Sequence, residues 1–158
     1  MSQNPSLVRY IAIRRARRAD QPHIRALVLS ERLAPDGIHW RNFIVAVADG
    51  RIVGTVQLRP LDHGYCELGS LAVAPDMRGR GIAARMIETL LAEADGPVQM
   101  ITGAKFAAYY ERFGFRRIER SDAPRPVCIR YFVGQFFGGL ISMLKGYAPR
   151  RLAILQRV

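Results

Sequence analysis

Short apolar runs and alternations fill the first half of the chain and predict strands. Residues 10–14 alternate weakly and read as a first strand. Asp20, followed by Pro22, marks a helix start, and the stripe Ile24, Leu27, Val28 and Glu31 continues it. Residues 33–41 hold Pro35, Asp36, Gly37, His39 and Trp40 and read as a loop or broken helix. Residues 43–48 and 51–58 are apolar and β-branched and flank Asp49-Gly50, which predicts a hairpin. After a turn at 61–64, residues 65–73 form a further strand, ended by Pro75.

The pattern then changes period. Ile82, Met86, Leu90 and Ala94 recur every four residues, and Ala83, Ile87 and Leu91 widen the stripe. This predicts a helix from 82 to 94, stopped by Gly96-Pro97. A short buried strand over 98–102, a helix over 106–113 closed by Gly114, and a strand over 115–118 follow. Residues 122–126 read as a loop. Residues 127–144 read as an apolar helix that Gly134, Gly138 and Gly139 weaken. Residues 152–158 close the chain as a strand. The expected fold is a single α+β domain over 1–158, with a mixed, mostly antiparallel sheet flanked by helices. Its apolar insertion, 125–149, precedes the last strand.

Composition bounds the partners. The chain has 158 residues and a formal net charge of +11, which favours acidic partners. Lys105 and Lys145 are the only lysines, so arginine carries the charge, and arginine suits bidentate phosphate contact. An arginine-rich solvated surface accounts equally well for most of these side chains. Cys66 and Cys128 form no CxxC pair, and no His/Cys cluster has zinc spacing. No metal is expected. A reducing, cytoplasmic setting is. Residues 1–5 lack the apolar run of a signal peptide, and no stretch suggests a transmembrane helix.

Residues 67–83, ELGSLAVAPDMRGRGIA, concentrate the chemistry. A strand runs through a glycine-rich turn into a helix. The first amides of a helix have no intrahelical partner and lie at the positive end of its dipole. Glycines let an anion approach that backbone, so the segment is a phosphate cradle, with Arg78 and Arg80 adding charge. A P-loop would need Gly-Lys-Ser/Thr, but Ile82 follows Gly81. A dinucleotide fingerprint is a softer mismatch, since Gly79-x-Gly81 leads to Ala84, but its strand follows a hairpin rather than opening a βαβ unit. The plain alternative is that the glycines only make a tight turn.

The run Arg78-Gly79-Arg80-Gly81-Ile82-Ala83 resembles the Arg/Gln-x-x-Gly-x-Gly/Ala motif of the GNAT acetyltransferase superfamily. Leu71-Ala72-Val73-Ala74-Pro75 is similar to that family's preceding strand and its exit. Tyr110-Glu111-Arg112-Phe113-Gly114-Phe115 is similar to its Tyr-x-x-x-Gly-Phe block, and Ala107 falls where the family has alanine. Ala104 replaces the usual asparagine, a departure that alters one expected cofactor contact. The resemblance covers residues 11–118 and implies an N-acetyltransferase that moves an acetyl group from acetyl-CoA directly to a primary amine. Backbone amides of Arg78, Gly79, Arg80, Gly81, Ile82 and Ala83 would bind the pyrophosphate. The backbone of Leu71, Ala72 and Val73 would pair with the pantetheine arm, and the Val73 N–H would face the oxyanion.

Acyl transfer to an amine needs a neutral amine, a stabilised oxyanion and help for the leaving thiolate. The resemblance implies Tyr110 as the acid; otherwise it is a half-buried helix aromatic. It implies Glu67 as the base, directly or through water; otherwise it is a sheet carboxylate paired with arginine. Cys66 could act as a nucleophile but has no histidine near it in sequence, and a small buried cysteine is commoner. By the same resemblance, residues 33–41 and 124–149 would choose the acceptor. Asp36, His39 and Trp40 are candidates there, and a small-molecule amine is the expected acceptor. The insertion would pack on the fold or a second subunit, or touch a membrane surface, with Arg130, Lys145, Arg150 and Arg151 flanking it. Two other readings remain: a basic nucleic-acid module, which the charge alone supports, and a GNAT-like fold that senses CoA without turnover or serves as a scaffold at a membrane.

Overall fold

The computed structural model describes residues 10–35, 37–144 and 151–158. Asp36, Lys145, Arg150 and the N-terminal residues named above lie outside them, as do the side chains of residues 135–144. The strands are β1 (Ile11–Arg15), β2 (Phe43–Ala48), β3 (Arg51–Pro60), β4 (Cys66–Val73), β5 (Val98–Gly103), β6 (Arg116–Arg117) and β7 (Leu152–Arg157). The helices are α1 (Gln21–Ser30), α2 (Ile82–Ala92), α3 (Ala107–Glu111) and α4 (Arg125–Leu144). The strands form one mixed sheet in the order β1-β2-β3-β4-β5-β7-β6. The described residues cluster into two compact units: the chain up to Gln57 with Ser70–Thr89, and Leu58–Gly69 with Leu90–Val158.

In the first unit, β1, β2 and β3 form an antiparallel meander. Asp49 and Gly50 both take positive φ, 50° and 75°, as a type I′ turn requires. Ile24 and Val28 of α1 are fully buried against Ala16, Phe43 and Val45. Each such side chain contributes about 1.5–3 kcal/mol. Asp20 stands at the start of α1, but its carboxylate does not cap that helix. It accepts instead from the Arg17 N–H at 2.6 Å and from Arg14 Nη1 at 2.7 Å, fixing the 3-10 turn before α1. Gly54 lets α2 lie close on β3, because a Cβ there would meet Met86 Cε at 2.8 Å.

In the second unit, β5 pairs in parallel with β4 at Cys66↔Val98 and Glu67↔Gln99, and antiparallel with β7 over its whole length. β6 pairs with the far side of β7, so the last strand inserts between β5 and β6. The strand expected over 115–118 shortens to two residues. The helix expected over 106–113 becomes a 3-10 turn, Ala104–Phe106, followed by α3. Gly114, at φ 85°, closes α3 as expected, its N–H bonded to Glu111 O at 2.9 Å. The apolar helix starts at Arg125, two residues early, because Pro126 fits the first turn of a helix. Gly134 faces β7: a Cβ there would stand 3.2 Å from Leu152 Cδ1.

Candidate active site

The glycine-rich turn is built in the first unit. Ala72 and Ala74 are buried on β4 and its exit, and the Ala74 N–H bonds Val53 O at 2.8 Å. Met77, 1% exposed, anchors a 3-10 turn over Pro75–Met77. Gly79 and Gly81 then take φ of 73° and 72°, a region that costs other residues roughly 1–2 kcal/mol. A Cβ built on either would meet nothing within 4 Å, so the backbone lies open to a ligand. Ile82 is buried and starts α2, whose first backbone bond runs from the Arg85 N–H to Gly81 O at 3.1 Å. The amides of Ile82, Ala83 and Ala84 precede that bond and sit at the positive end of the helix. This arrangement fits a diphosphate.

The two arginines of the turn differ. Arg78 donates through Nε to Val73 O at 3.0 Å and pairs through Nη2 with Glu31 Oε2 at the end of α1. Its side chain is therefore a tether between α1, the end of β4 and the turn. Arg80 is exposed. One feature was not legible in the sequence. Ser70, within β4, has φ 50°. Two buried polar side chains of β3 hold it: Thr55 Oγ1 donates to Ser70 O at 3.0 Å, and Gln57 Nε2 donates to Ser70 Oγ at 2.8 Å. A left-handed serine inside a strand is a local strain, and such strain clusters at functional sites. The usable signal was the polar pair at 55 and 57 within an apolar strand.

In the second unit, Glu67 is 5% exposed on β4. Arg59 Nη2, from β3, and Arg130 Nη1, from α4, each lie 3.5 Å from its Oε2. Two guanidiniums thus flank one buried carboxylate. Gln99 pairs with Glu67 across β4–β5 and donates through Nε2 to Gln156 Oε1 at 3.1 Å, continuing a polar row across the sheet.

Tyr110 is 7% exposed on α3, edge-on to Tyr109 and Phe115. Burial pushes its phenol up to about 12; Tyr109 adds to this, and a hydrogen bond with the Thr102 side chain offsets part of it. Alternation along β5 puts Thr102 on the opposite face from Gln99, and hence from Glu67. The two candidate groups thus belong to different faces of β5. Cys66 is half-buried, and its thiol is raised by burial and by the Asp95 charge, which makes it a poor nucleophile at neutral pH.

His39 stacks on Trp40 with centroids 5.9 Å apart, and Arg41 sits 5.2 Å from the Trp40 ring. The Trp40 N–H donates to Gln21 Oε1 at 2.7 Å, which ties this segment to α1. Among the described residues, no group of three His, Cys, Asp or Glu side chains could hold a metal ion.

The sequence profile described as the acetyltransferase (GNAT) domain matches residues 39–117, half of the chain. An uncharacterised N-acetyltransferase of Chlorobaculum tepidum is 26% identical over 129 residues, 73% of this chain and 81% of that protein. The N-acetylglutamate synthase of Neisseria gonorrhoeae, complexed with coenzyme A and N-acetyl-glutamate, superimposes with a TM-score of 0.73 at 21% identity. That match covers 94% of this chain, which spans only 35% of the synthase. Rv2747 of Mycobacterium tuberculosis, in complex with CoA and NLQ, gives a TM-score of 0.69 at 24% identity, covering 93% of this chain and 98% of that one. At these identities the structural likeness shows the fold.

Proposed function

The chain belongs to the GNAT acetyltransferase family, and on that premise we propose that it moves an acetyl group from acetyl-CoA directly to the primary amine of a small molecule. The observation that carries this reading is the pair of left-handed glycines, Gly79 and Gly81, opening the backbone ahead of α2. Their amides, with those of Arg78, Arg80, Ile82 and Ala83, hold the pyrophosphate of the donor. Leu71, Ala72 and Val73 offer strand backbone to the pantetheine arm, and the Val73 N–H donates to the developing oxyanion. Acetyl-CoA supplies the activated acyl group as a thioester. The CoA held in the two similar structures supports this choice of donor. The cytoplasm, where two free cysteines suit a reducing setting, is the compartment we assign.

Glu67 receives the acceptor's proton, directly or through water. Arg59 and Arg130, each 3.5 Å from its Oε2, offset part of the cost of burying that charge. Tyr110 serves the leaving sulfur. Its phenol is fully protonated at neutral pH, but full transfer from about 12 to a thiolate near 8.5 is uphill by roughly 5 kcal/mol. Donation of a hydrogen bond to the departing thiolate is therefore its main contribution.

The test follows CoA release with a thiol reagent, using acetyl-CoA and a broad amine panel, on wild type and Tyr110→Phe. Amine-dependent release that falls in the variant is expected. Acetyl-CoA binding without release for any amine would mean a sensor rather than an enzyme. Absence of both would remove the cradle reading.

A further inference from the structure

The first half of α4 is inside out. A helix lying on a fold normally turns its apolar stripe inward and its polar face to solvent. Here Val127 is fully buried, Arg130 reaches in to Glu67, and the Tyr131 hydroxyl donates to Leu152 O at 3.4 Å. These residues define the inward face. Ile129, Phe132 and Val133 lie on the other face, 63%, 56% and 50% exposed. Three large apolar side chains at i, i+3 and i+4 make one continuous outward stripe.

Two exposed arginines border this stripe: Arg125, one turn before Ile129 on the same face, and Arg120, against the Phe132 ring, while Glu119 and Asp122 before the helix offset part of their charge. The Arg120 guanidinium carbon stands 5.4 Å from the Phe132 ring and 5.8 Å from the Tyr131 ring. The chain as a whole carries +11. A second copy meeting this surface would bring the same positive field against it, which opposes self-association. A nucleic acid would satisfy the charge but offers little to a stripe of Ile, Phe and Val. An anionic lipid surface satisfies both: acyl boundary for the stripe, phosphate headgroups for the arginines. We propose that the outward face of α4, through Ile129, Phe132 and Val133 with Arg120 and Arg125, docks the protein on an anionic membrane surface. The helix lies in the interface and does not cross it; no described helix is long and apolar enough to span a membrane. This surface is independent of the acetyl-transfer reading, so either can fail alone.

The test is co-sedimentation of the full chain with vesicles of phosphatidylcholine alone and of phosphatidylcholine mixed with phosphatidylglycerol. Partition into the anionic vesicles only, weakened by added salt, is expected. Phe132→Asp and Ile129→Asp should each lower that partition by about tenfold or more, from loss of apolar burial. Arg125→Glu should lower it through charge. All three sites are exposed, so thermal melting should stay close to wild type and shows that any loss is not unfolding. Three results overturn the proposal: no partition into either vesicle, equal partition into both, or full binding by a folded Phe132→Asp variant. A concentration-dependent dimer that Phe132→Asp dissolves, without vesicle binding, also overturns it and makes a second copy the occupant.

Discussion

Arg130, on α4, places its Nη1 3.5 Å from Oε2 of Glu67, on β4. Arg59 approaches the same oxygen from β3 at the same distance. A single carboxylate thus neutralises part of two guanidinium charges and ties the inserted helix to the sheet.

Glu67→Gln leaves two cations around a neutral amide. We expect it to cost about 3 kcal/mol of stability, as for a broken buried pair, and to lower kcat about 100-fold if the carboxylate takes the acceptor's proton. Arg130 is a third exposed, so Arg130→Gln should cost less, ~1–2 kcal/mol. Removing one cation makes Glu67 easier to protonate, so the acidic limb of the pH–rate profile should move to higher pH. Denaturant melts and pH–rate profiles read the two effects separately. An unmoved limb in a folded Arg130→Gln variant would leave Glu67 a purely structural carboxylate.

Tyr110 titrates near 12 in the fold and near 10 when unfolded. The folded state therefore holds this proton more tightly. Its contribution is fully present below about pH 10 and is lost as pH rises towards 12, by ~2–3 kcal/mol in all. The stability difference between wild type and Tyr110→Phe should shrink by that amount across this window, measured by urea unfolding at several alkaline pH values. In ultraviolet titration, the late phase that Tyr110 contributes in wild type should be lost in the variant.

Gly81→Ala tests the cradle. Nothing blocks the added methyl, but φ of 72° costs alanine ~1–2 kcal/mol. Relief of that strain would turn the backbone away from the open course that exposes the amides preceding α2. Acetyl-CoA affinity should fall about tenfold, in line with losing ~1–2 kcal/mol of anion stabilisation at a helix N-terminus. Calorimetric titration of acetyl-CoA against the folded variant reads this directly.

Cys66→Ser should retain CoA release within about twofold, because a thiol raised by burial is not activated for attack. Loss of acetyl transfer with normal acetyl-CoA binding would instead argue for a covalent acyl-cysteine route.

Local rules control part of this fold and can be read from the residues alone. Asp49-Gly50 dictates a I′ hairpin because both residues accept positive φ, and the structure has that turn. The four-residue recurrence from Ile82 dictates α2, and the glycines before it dictate an open backbone turn. Tertiary structure alone decided what depends on distant partners. Nothing near Glu67 in the chain foretells Arg130, because α4 must first fold back over β4. Nothing near residue 152 places β7 between β5 and β6, since register is set by strands that precede it in the chain. Ser70 takes its strained φ because Thr55 and Gln57 hold it from the neighbouring strand. The sequence foretold the apolar character of α4, but which of its faces is covered depends on the sheet beneath it. That choice leaves Ile129, Phe132 and Val133 turned outward.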